Sequence, residues 1–232
     1  MEDLHPPAGH TARILDGKAL AGRIRAGLKQ RVEEGVAAGR PRPGLATLLV
    51  GDDPASRIYV RSKLRACETA GLASFHRLLP GNASGEEVLA QVRTWNEDSA
   101  VHGILVQLPL PGGIDSQAVL ECIRPAKDVD GFHPVNQGRL LQGLPGLRPC
   151  TPKGILRLLE EAAVLVGRSN IVGKPVALML LERHATVTLC HSRTPDLAAE
   201  VGRADVVVAA AGRAGLVRSA WIRPGAAVID VG

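Results

Sequence analysis

The fold of this chain is decided by the stretch Val164-Leu-Val-Gly-Arg-Ser-Asn-Ile-Val-Gly-Lys-Pro175. A short apolar run passes into a turn that contains glycine, and a helical pattern follows, so the stretch predicts a strand, a turn and a helix. The elements predicted after it are strands at 186–191, 205–211 and 226–231 and a helix at 196–203. This alternation is typical of a doubly wound, nucleotide-binding fold with a parallel sheet.

The turn lies where a dinucleotide fold needs small residues, because backbone amides at the start of the helix must reach the phosphates. Gly167 and Gly173 lie there, farther apart than the outer glycines of the standard fingerprint, and Ser169 replaces the second glycine. The bare motif is therefore weak. The strand before it and the helix after it make the turn a candidate dinucleotide site.

The end of the next predicted strand indicates which dinucleotide would bind. An NAD site usually has Asp or Glu there, to accept a hydrogen bond from the ribose 2′-hydroxyl. This chain instead has His191, Ser192 and Arg193, with Arg168 in the loop opposite. Donors with positive charge suit a 2′-phosphate, so we predict NADP rather than NAD. The alternative is a solvated basic edge that binds no ligand.

The preceding part of the chain also alternates strands with helices. Three apolar runs predict strands, at 45–50, 74–79 and 101–107. The chain is therefore expected to be α/β with two lobes and a cleft between them. We predict an N-terminal α/β lobe over residues 1–150 and a Rossmann-type lobe over residues 151–232.

The junction between the two predicted lobes is rich in Pro and Gly over residues 125–149. Loops of this length in compact domains are usually functional or disordered. A helix is predicted to follow it, with Thr151 as the N-cap and Pro152 at the first helical position.

Composition limits the class of protein. The net charge is +5 but only 2% of the residues are aromatic, so few side chains could stack on bases, and we predict no nucleic-acid partner. The four cysteines are scattered singly, which indicates neither a metal site nor a disulfide framework. No signal sequence and no apolar run long enough to cross a bilayer is recognisable, so we expect a cytoplasmic protein with no membrane partner.

The only tyrosine, Tyr59, lies four positions before Lys63. On a helix this spacing places both side chains on one face. A phenol beside an ammonium can be a solvated surface pair, a helix-stabilising contact or an acid/base site, and the pair by itself favours the first two. Short-chain dehydrogenases also carry a Tyr-x-x-x-Lys pair, but their cofactor glycines precede it. Here the glycines follow it, which excludes that family.

Five stretches together resemble the bifunctional methylenetetrahydrofolate dehydrogenase/cyclohydrolases, in that family's order and over nearly the whole chain from about residue 13. They are Val50-Gly-Asp-Asp-Pro-Ala-Ser-Arg-Ile-Tyr-Val-Arg-Ser-Lys63, Gly103-Ile-Leu-Val-Gln-Leu-Pro-Leu-Pro111, Lys127-Asp-Val-Asp-Gly-Phe132, Pro149-Cys-Thr-Pro-Lys-Gly154 and Val166-Gly-Arg-Ser-Asn-Ile-Val-Gly-Lys-Pro175. The resemblance implies NADP-dependent oxidation of 5,10-methylenetetrahydrofolate and hydrolysis of the product to 10-formyltetrahydrofolate. It also implies a homodimer that uses no metal.

The resemblance assigns roles on the folate side. Lys63 corresponds to the family's catalytic lysine, and Tyr59 to the tyrosine that stacks on the pterin and p-aminobenzoate region. Gln107 corresponds to the glutamine paired with the lysine, and Asp130 to the carboxylate that anchors the pterin ring.

On the cofactor side, Arg168 and Ser192 match the family's contacts to the NADP phosphate. Thr151, Gly167 and Ser169 match residues that line the cofactor cleft.

The chemistry suits these residue types. Oxidation of the methylene bridge needs mainly alignment of the hydride donor with the nicotinamide, because the folate nitrogens stabilise the developing cation. Cyclohydrolysis needs attack by water and transfer of protons between nitrogens, for which a lysine held by Gln107 is a suitable general acid/base. We therefore expect Lys63 to have that role.

Each site residue also has a structural reading. Gln107 could cap strand ends, and Asp130 could hold its own loop through an Asx turn. The residues expected to be structural are Asp128, His133, Cys150 and His191. Within matching motifs the functional readings of Gln107 and Asp130 are favoured, because a site is judged by its assembled roles.

Two departures from the family pattern keep a second hypothesis open. Family members continue beyond the strand that ends at Gly232, with a further strand, a loop at the folate site and a helix that returns to the first lobe. They also have more residues before the Val164 strand. The alternative is therefore a truncated, inactive NADP- or folate-binding protein.

Overall fold

The computed structural model describes residues 15–159, 164–166 and 169–231. The described residues form two parallel sheets, each covered by helices. The predicted class, α/β with a nucleotide-binding second lobe, is confirmed. The short junction predicted before Val164, at residues 160–163, lies outside the described residues.

The first lobe contains a three-stranded sheet in the order β2-β1-β3, with all strands parallel. Its elements are α1 (Gly17–Ala37), β1 (Gly44–Val50), α2 (Pro54–Thr69), β2 (Ala73–Leu79), α3 (Gly85–Glu97), β3 (Gly103–Val106) and α4 (Ser116–Cys122). The central strand β1 is a short, almost continuous apolar run because both of its faces are covered. Ala46 and Leu48 on this strand are completely buried.

Side-chain caps mark the starts of three helices in this lobe. Ser84 and Glu87 form a capping box at the start of α3. Asp115 caps α4 by accepting from two backbone N–H groups. Helix α1 begins after Asp16, whose side chain accepts from the N–H of Ala19.

The predicted loop over residues 125–149 contains a helix, α5 (Pro134–Leu141). The His133 side chain caps it and Pro134 occupies its first position, both of which favour a helix start. The prediction of a loop over the whole of residues 125–149 was therefore wrong.

The start predicted for the next helix was also wrong. Helix α6 (Cys150–Leu158) has Pro149 as its N-cap, and Thr151 lies inside the first turn. Pro152 is tolerated at the third position because N–H groups of the first turn have no partner within the helix.

The second lobe contains a four-stranded parallel sheet in the order β5-β4-β6-β7. Its elements are β4 (Val164–Val166), α7 (Gly173–Leu181), β5 (Thr188–Cys190), α8 (Leu197–Gly202), β6 (Val206–Ala209), a 3₁₀ turn (Ser219–Trp221) and β7 (Ala227–Asp230). Because the strand order reverses beside β4, a crevice for a ligand is expected at the carboxyl ends of β4 and β6.

Helices α5 and α6 pack on α7, so the core of the second lobe includes residues from the junction. Leu140 of α5 and Ile155 of α6 are buried in the same cluster as Val176 of α7. An ion pair adds to this contact, since Arg148 Nη2 lies 3.1 Å from Glu182 Oε1 at the end of α7. The junction is therefore packed against the second lobe.

The apolar row of α1 is less buried than its four-residue spacing suggests. Val32 is buried, whereas Ile24, Leu28 and Val36 are exposed. In the part of the chain that the structure covers, no helix is long and apolar enough to cross a membrane.

Candidate active site

Helix α2 carries Tyr59 and Lys63, and its start is fixed directly after the central strand. Asp53 caps the helix, because its Oδ2 accepts from the backbone N–H of Ser56 at 2.7 Å. Pro54 occupies the first helical position. Hydrogen bonds from the Ser56 backbone and side chain hold the pKa of the Asp53 carboxyl below its ordinary value. The helix therefore begins at the carboxyl end of β1.

The structure brings Lys63 and Gln107 together. Lys63 Nζ donates to Gln107 Oε1 at 3.1 Å. The glutamine is held from two sides, because its backbone N–H donates to the Leu48 carbonyl at 2.9 Å and its Nε2 donates to the Leu108 carbonyl at 2.7 Å. Both residues of the pair are half-buried. The amide oxygen fixes the position of the ammonium without neutralising its charge.

Asp130 lies near the same lysine. Burial raises the pKa of its carboxyl above the ordinary value, and the Lys63 ammonium partly opposes that increase. The negative charge of Asp128 raises the pKa further, and a hydrogen bond from Cys150 lowers it. The structure thus places Lys63, Gln107 and Asp130 in one half-buried group. Tyr59, one helical turn before Lys63 on α2, is 64% exposed.

Cys150, which was expected to be structural, borders this group. The residue as a whole is exposed, but its Sγ donates to the Val129 carbonyl at 3.5 Å. Burial of the sulfur raises the pKa of the thiol, and the charge of Asp130 raises it further. A raised pKa leaves less of the thiol ionised at neutral pH, which agrees with the structural role expected for Cys150.

Two histidines expected to be structural are engaged locally. His133 Nδ1 accepts from the N–H of Val135 at the start of α5, at 3.1 Å. His191 Nδ1 accepts from the N–H of Arg193, also at 3.1 Å. No cluster of three or more potential metal ligands occurs among the residues that the structure describes.

Two of the predicted cofactor residues, Ser169 and Ser192, follow the carboxyl ends of β4 and β5. Val166 pairs with Cys190, so the segments that follow the two strands leave the sheet at the same edge. Ser169 Oγ accepts from the N–H groups of Val172 and Gly173, at 3.1 and 3.2 Å, and so holds the turn into α7.

The remaining cofactor candidates are only partly described. Ser192 is exposed directly after β5, and Thr151 is exposed on the first turn of α6. Gly167 and Arg168 lie outside the described residues. The contacts predicted between these four residues and the cofactor remain predictions.

The charge pattern beside β5 suits a phosphate. The first acidic residue after the strand is Asp196, and its Oδ1 accepts from the N–H of Ala199 to cap α8. The position where an NAD site usually has a carboxylate is therefore occupied by His191, Ser192 and Arg193.

Asn136 cannot be recognised as a site residue from the sequence. The residue is 1% exposed and its amide donates to Asp128 Oδ2 at 2.8 Å. A lone asparagine in a segment rich in Pro and Gly resembles a turn residue, so no periodicity could have identified it.

Comparison with known proteins gives the family. Residues 15–130 match the tetrahydrofolate dehydrogenase/cyclohydrolase catalytic domain, and residues 149–232 match the NAD(P)-binding domain of the same family. The chain is 58% identical to the bifunctional protein FolD of Magnetococcus marinus, over 95% of this chain and 80% of that protein. It is 54% identical to the bifunctional protein FolD of Anaeromyxobacter dehalogenans, over 94% of this chain and 80% of that protein.

Solved structures agree with the sequence matches. The crystal structure of the bifunctional FolD enzyme of Campylobacter jejuni superposes with a TM-score of 0.92 at 47% identity, covering 95% of this chain and 81% of that one. The Trypanosoma brucei enzyme, solved with NADP cofactor and inhibitor, superposes with a TM-score of 0.90 at 41% identity, covering 95% and 79%. These matches favour the predicted enzyme over the inactive binding protein. The chain therefore belongs to the tetrahydrofolate dehydrogenase/cyclohydrolase family and is a bifunctional methylenetetrahydrofolate dehydrogenase and methenyltetrahydrofolate cyclohydrolase.

Proposed function

We propose that both reactions occur at the group formed by Lys63, Gln107 and Asp130, with Lys63 as the general acid/base of the cyclohydrolase. The observation that carries this proposal is the 3.1 Å hydrogen bond from Lys63 Nζ to Gln107 Oε1. It joins α2 to the end of β3 and holds the only lysine that perturbs the Asp130 carboxyl among the described residues. The substrate is 5,10-methylenetetrahydrofolate.

Substrate binding would use the aromatic ring of Tyr59 and the carboxyl of Asp130. The exposed ring of Tyr59 offers a surface on which the pterin and p-aminobenzoate region can stack. The Asp130 carboxyl can hydrogen-bond to the N–H groups at the edge of the pterin. Together these contacts would hold the reactive carbon near Lys63 Nζ.

NADP fits the donor set of the second lobe. Ser192 is exposed at the end of β5, the adjacent charge is the cation of Arg193, and the nearest carboxylate already caps α8. We assign the 2′-phosphate to Ser192 and Arg168, and the rest of the cofactor cleft to Thr151, Gly167 and Ser169. When bound, NADP⁺ supplies the acceptor for a hydride from the methylene carbon. In that step the residues of this chain align the folate substrate with the nicotinamide.

The cyclohydrolase step needs proton transfer by the protein. As water attacks the methenyl carbon and forms a C–O bond, the Lys63 amine takes a proton from the water. Lys63 then returns that proton to the folate ring nitrogen as its C–N bond breaks, and the new hydroxyl loses its remaining proton to solvent as the formyl C=O bond forms, which yields 10-formyltetrahydrofolate. The Gln107 oxygen keeps Nζ in place during both transfers.

Replacement of the lysine tests this assignment. In Lys63→Met we expect cyclohydrolase turnover to fall by roughly a hundredfold or more, and dehydrogenase turnover by less, because only the hydrolysis needs a proton carrier. Lys29→Met removes a lysine from an exposed ion pair on α1 and is the matched control. Cyclohydrolase turnover within about threefold of wild type in Lys63→Met would refute the role.

We also propose a homodimer located in the cytoplasm. Besides the family resemblance, the support is an apolar groove of about 560 Å³ between α5 and α7. Leu141, which lines the groove, is 68% exposed, and a contiguous exposed apolar surface of this kind can mark an interface with another protein chain. Sedimentation velocity would show whether the chain is a dimer.

A further inference from the structure

The Asp128 carboxylate lies two residues before Asp130 and is almost completely buried, with 1% of the residue exposed. Its Oδ1 accepts from the N–H of Phe132 at 3.2 Å, and its Oδ2 accepts from the N–H of His133 at 2.9 Å. Burial of a charge is costly unless hydrogen bonds satisfy it. The carboxylate therefore closes the loop on both sides of Asp130.

Asn136 completes this arrangement from α5. Its Nδ2 donates to Asp128 Oδ2 and to the Pro125 carbonyl, each at 2.8 Å. The residue is as buried as Asp128. The Asn136 side chain thus connects the Pro125 carbonyl and the Asp128 carboxylate to the first turn of α5.

The loop is also fixed from two other directions. The N–H of Ile104 in β3 donates to the Lys127 carbonyl at 2.7 Å, which joins the loop to the strand that leads to Gln107. Gly131 has a φ of +64°, and a Cβ there would lie 2.8 Å from the backbone nitrogen of Pro149. Contacts with β3, with α5 and with the backbone at Pro149 therefore fix the conformation of the loop that carries Asp130.

We infer that Asp128 and Asn136 are positioning residues for Asp130, whose contact with substrate they control without touching the substrate themselves. This inference rests on the proposed role of Asp130 as the pterin anchor. Loss of the Asn136 amide would leave the Asp128 carboxylate with fewer donors in a buried place, so the loop would relax and Asp130 would no longer be held beside Lys63. The effect would fall on folate binding and not on cofactor binding.

A pair of asparagine variants separates positioning from general stability. Asn96 is a matched control in the same lobe, because it is also buried and also bridges backbone groups, donating to the Cys122 carbonyl and accepting from the N–H of Arg124. Asn136→Ala and Asn96→Ala should lower the melting temperature to a similar extent. Only Asn136→Ala should raise KM for methylenetetrahydrofolate, by roughly tenfold, with KM for NADP⁺ within about twofold of wild type.

Three outcomes decide between the explanations. Folate KM within about twofold of wild type in Asn136→Ala, or an equal loss in both asparagine variants, would overturn the inference. Asp130→Asn is assayed in parallel. If that variant leaves folate KM unchanged, the proposed role of Asp130 fails, whereas a raised KM in Asp130→Asn with an unchanged KM in Asn136→Ala rejects only the positioning role. If Asn136→Ala does not fold, Asn136→Ser serves in the same comparison, because it shortens the side chain while keeping a polar group.

Discussion

The folate side and the cofactor side of this enzyme are built in different ways. On the folate side, residues far apart in the sequence meet: Lys63 of α2 donates a hydrogen bond to Gln107, directly after β3, and the Asp130 carboxyl of the loop after α4 lies near the same lysine. On the cofactor side, the candidates Ser169 and Ser192 follow the ends of adjacent strands, and the Ser169 side chain accepts from N–H groups of its own turn. Catalysis of proton transfer requires fixed side chains, whereas dinucleotide binding uses strand ends and backbone amides that the fold itself supplies.

The largest expected effect comes from breaking the close packing of the folate side. Gly131→Ala combines a positive φ with a Cβ that would lie 2.8 Å from backbone, and we expect it to lower the free energy of unfolding by about 3 kcal/mol. Gly225→Ala in the second lobe has a φ of +83° and, among the described residues, no atom within 4 Å of the added Cβ. That control should cost only about 1 kcal/mol. Urea unfolding measures both, and equal losses would show that the loop packing adds nothing.

An added negative charge tests the cofactor side. Ser192→Glu places a carboxylate where the proposed 2′-phosphate contact lies, and we expect KM for NADP⁺ to rise by roughly tenfold or more through like-charge repulsion. KM for the folate substrate should not change, because the two sites are built on different lobes. Ser219→Glu, on the exposed 3₁₀ turn, is the matched control for surface charge. An unchanged ratio of activities with NADP⁺ and NAD⁺ in Ser192→Glu would refute the assignment.

The smallest expected effect concerns the start of α2. Asp53→Ala removes the helix cap, and we expect the melting temperature at neutral pH to fall by about 2 to 4 °C. The pKa of Asp53 is lowered in the folded state, so its contribution is present above the unfolded pKa and is lost as the pH falls through the folded value. The difference between Asp53→Ala and wild type should therefore shrink in acid. Asp53→Asn, which keeps an acceptor that does not titrate, should show no such dependence when thermal unfolding is followed against pH.

Much of the fold could be predicted because its signals are local. The buried run at β1, the capping box at Ser84 and the cap at Asp115 each depend on a few neighbouring residues. Helix α5 could not be recognised in this way, because it is short and its stability comes from Leu140 packing into the core of the other lobe. The start of α6 was misplaced because Thr151 and Pro152 have the residue types of a helix start although Pro149 forms it.

The same contrast between local signals and long-range contacts applies to the residues of the site. Lys63, Gln107 and Asp130 could be proposed from motifs, and the structure brings them together. The part played by Asn136 could not be foreseen, because burial of an asparagine depends on which chain segments meet around it.

Helix α5 is bound to both lobes, and this constrains how the enzyme can open and close. Asn136 near its start is hydrogen-bonded to the Asp128 loop of the first lobe, and Leu140 near its end is buried in the second. A helix of two turns does not bend easily. A rotation of one lobe relative to the other would therefore strain either the hydrogen bond of Asn136 or the packing of Leu140. A hinge between the lobes would therefore have to lie outside α5. A rotation of the lobes would either move the loop that carries Asp130 together with α5 or break the hydrogen bond between Asn136 and Asp128.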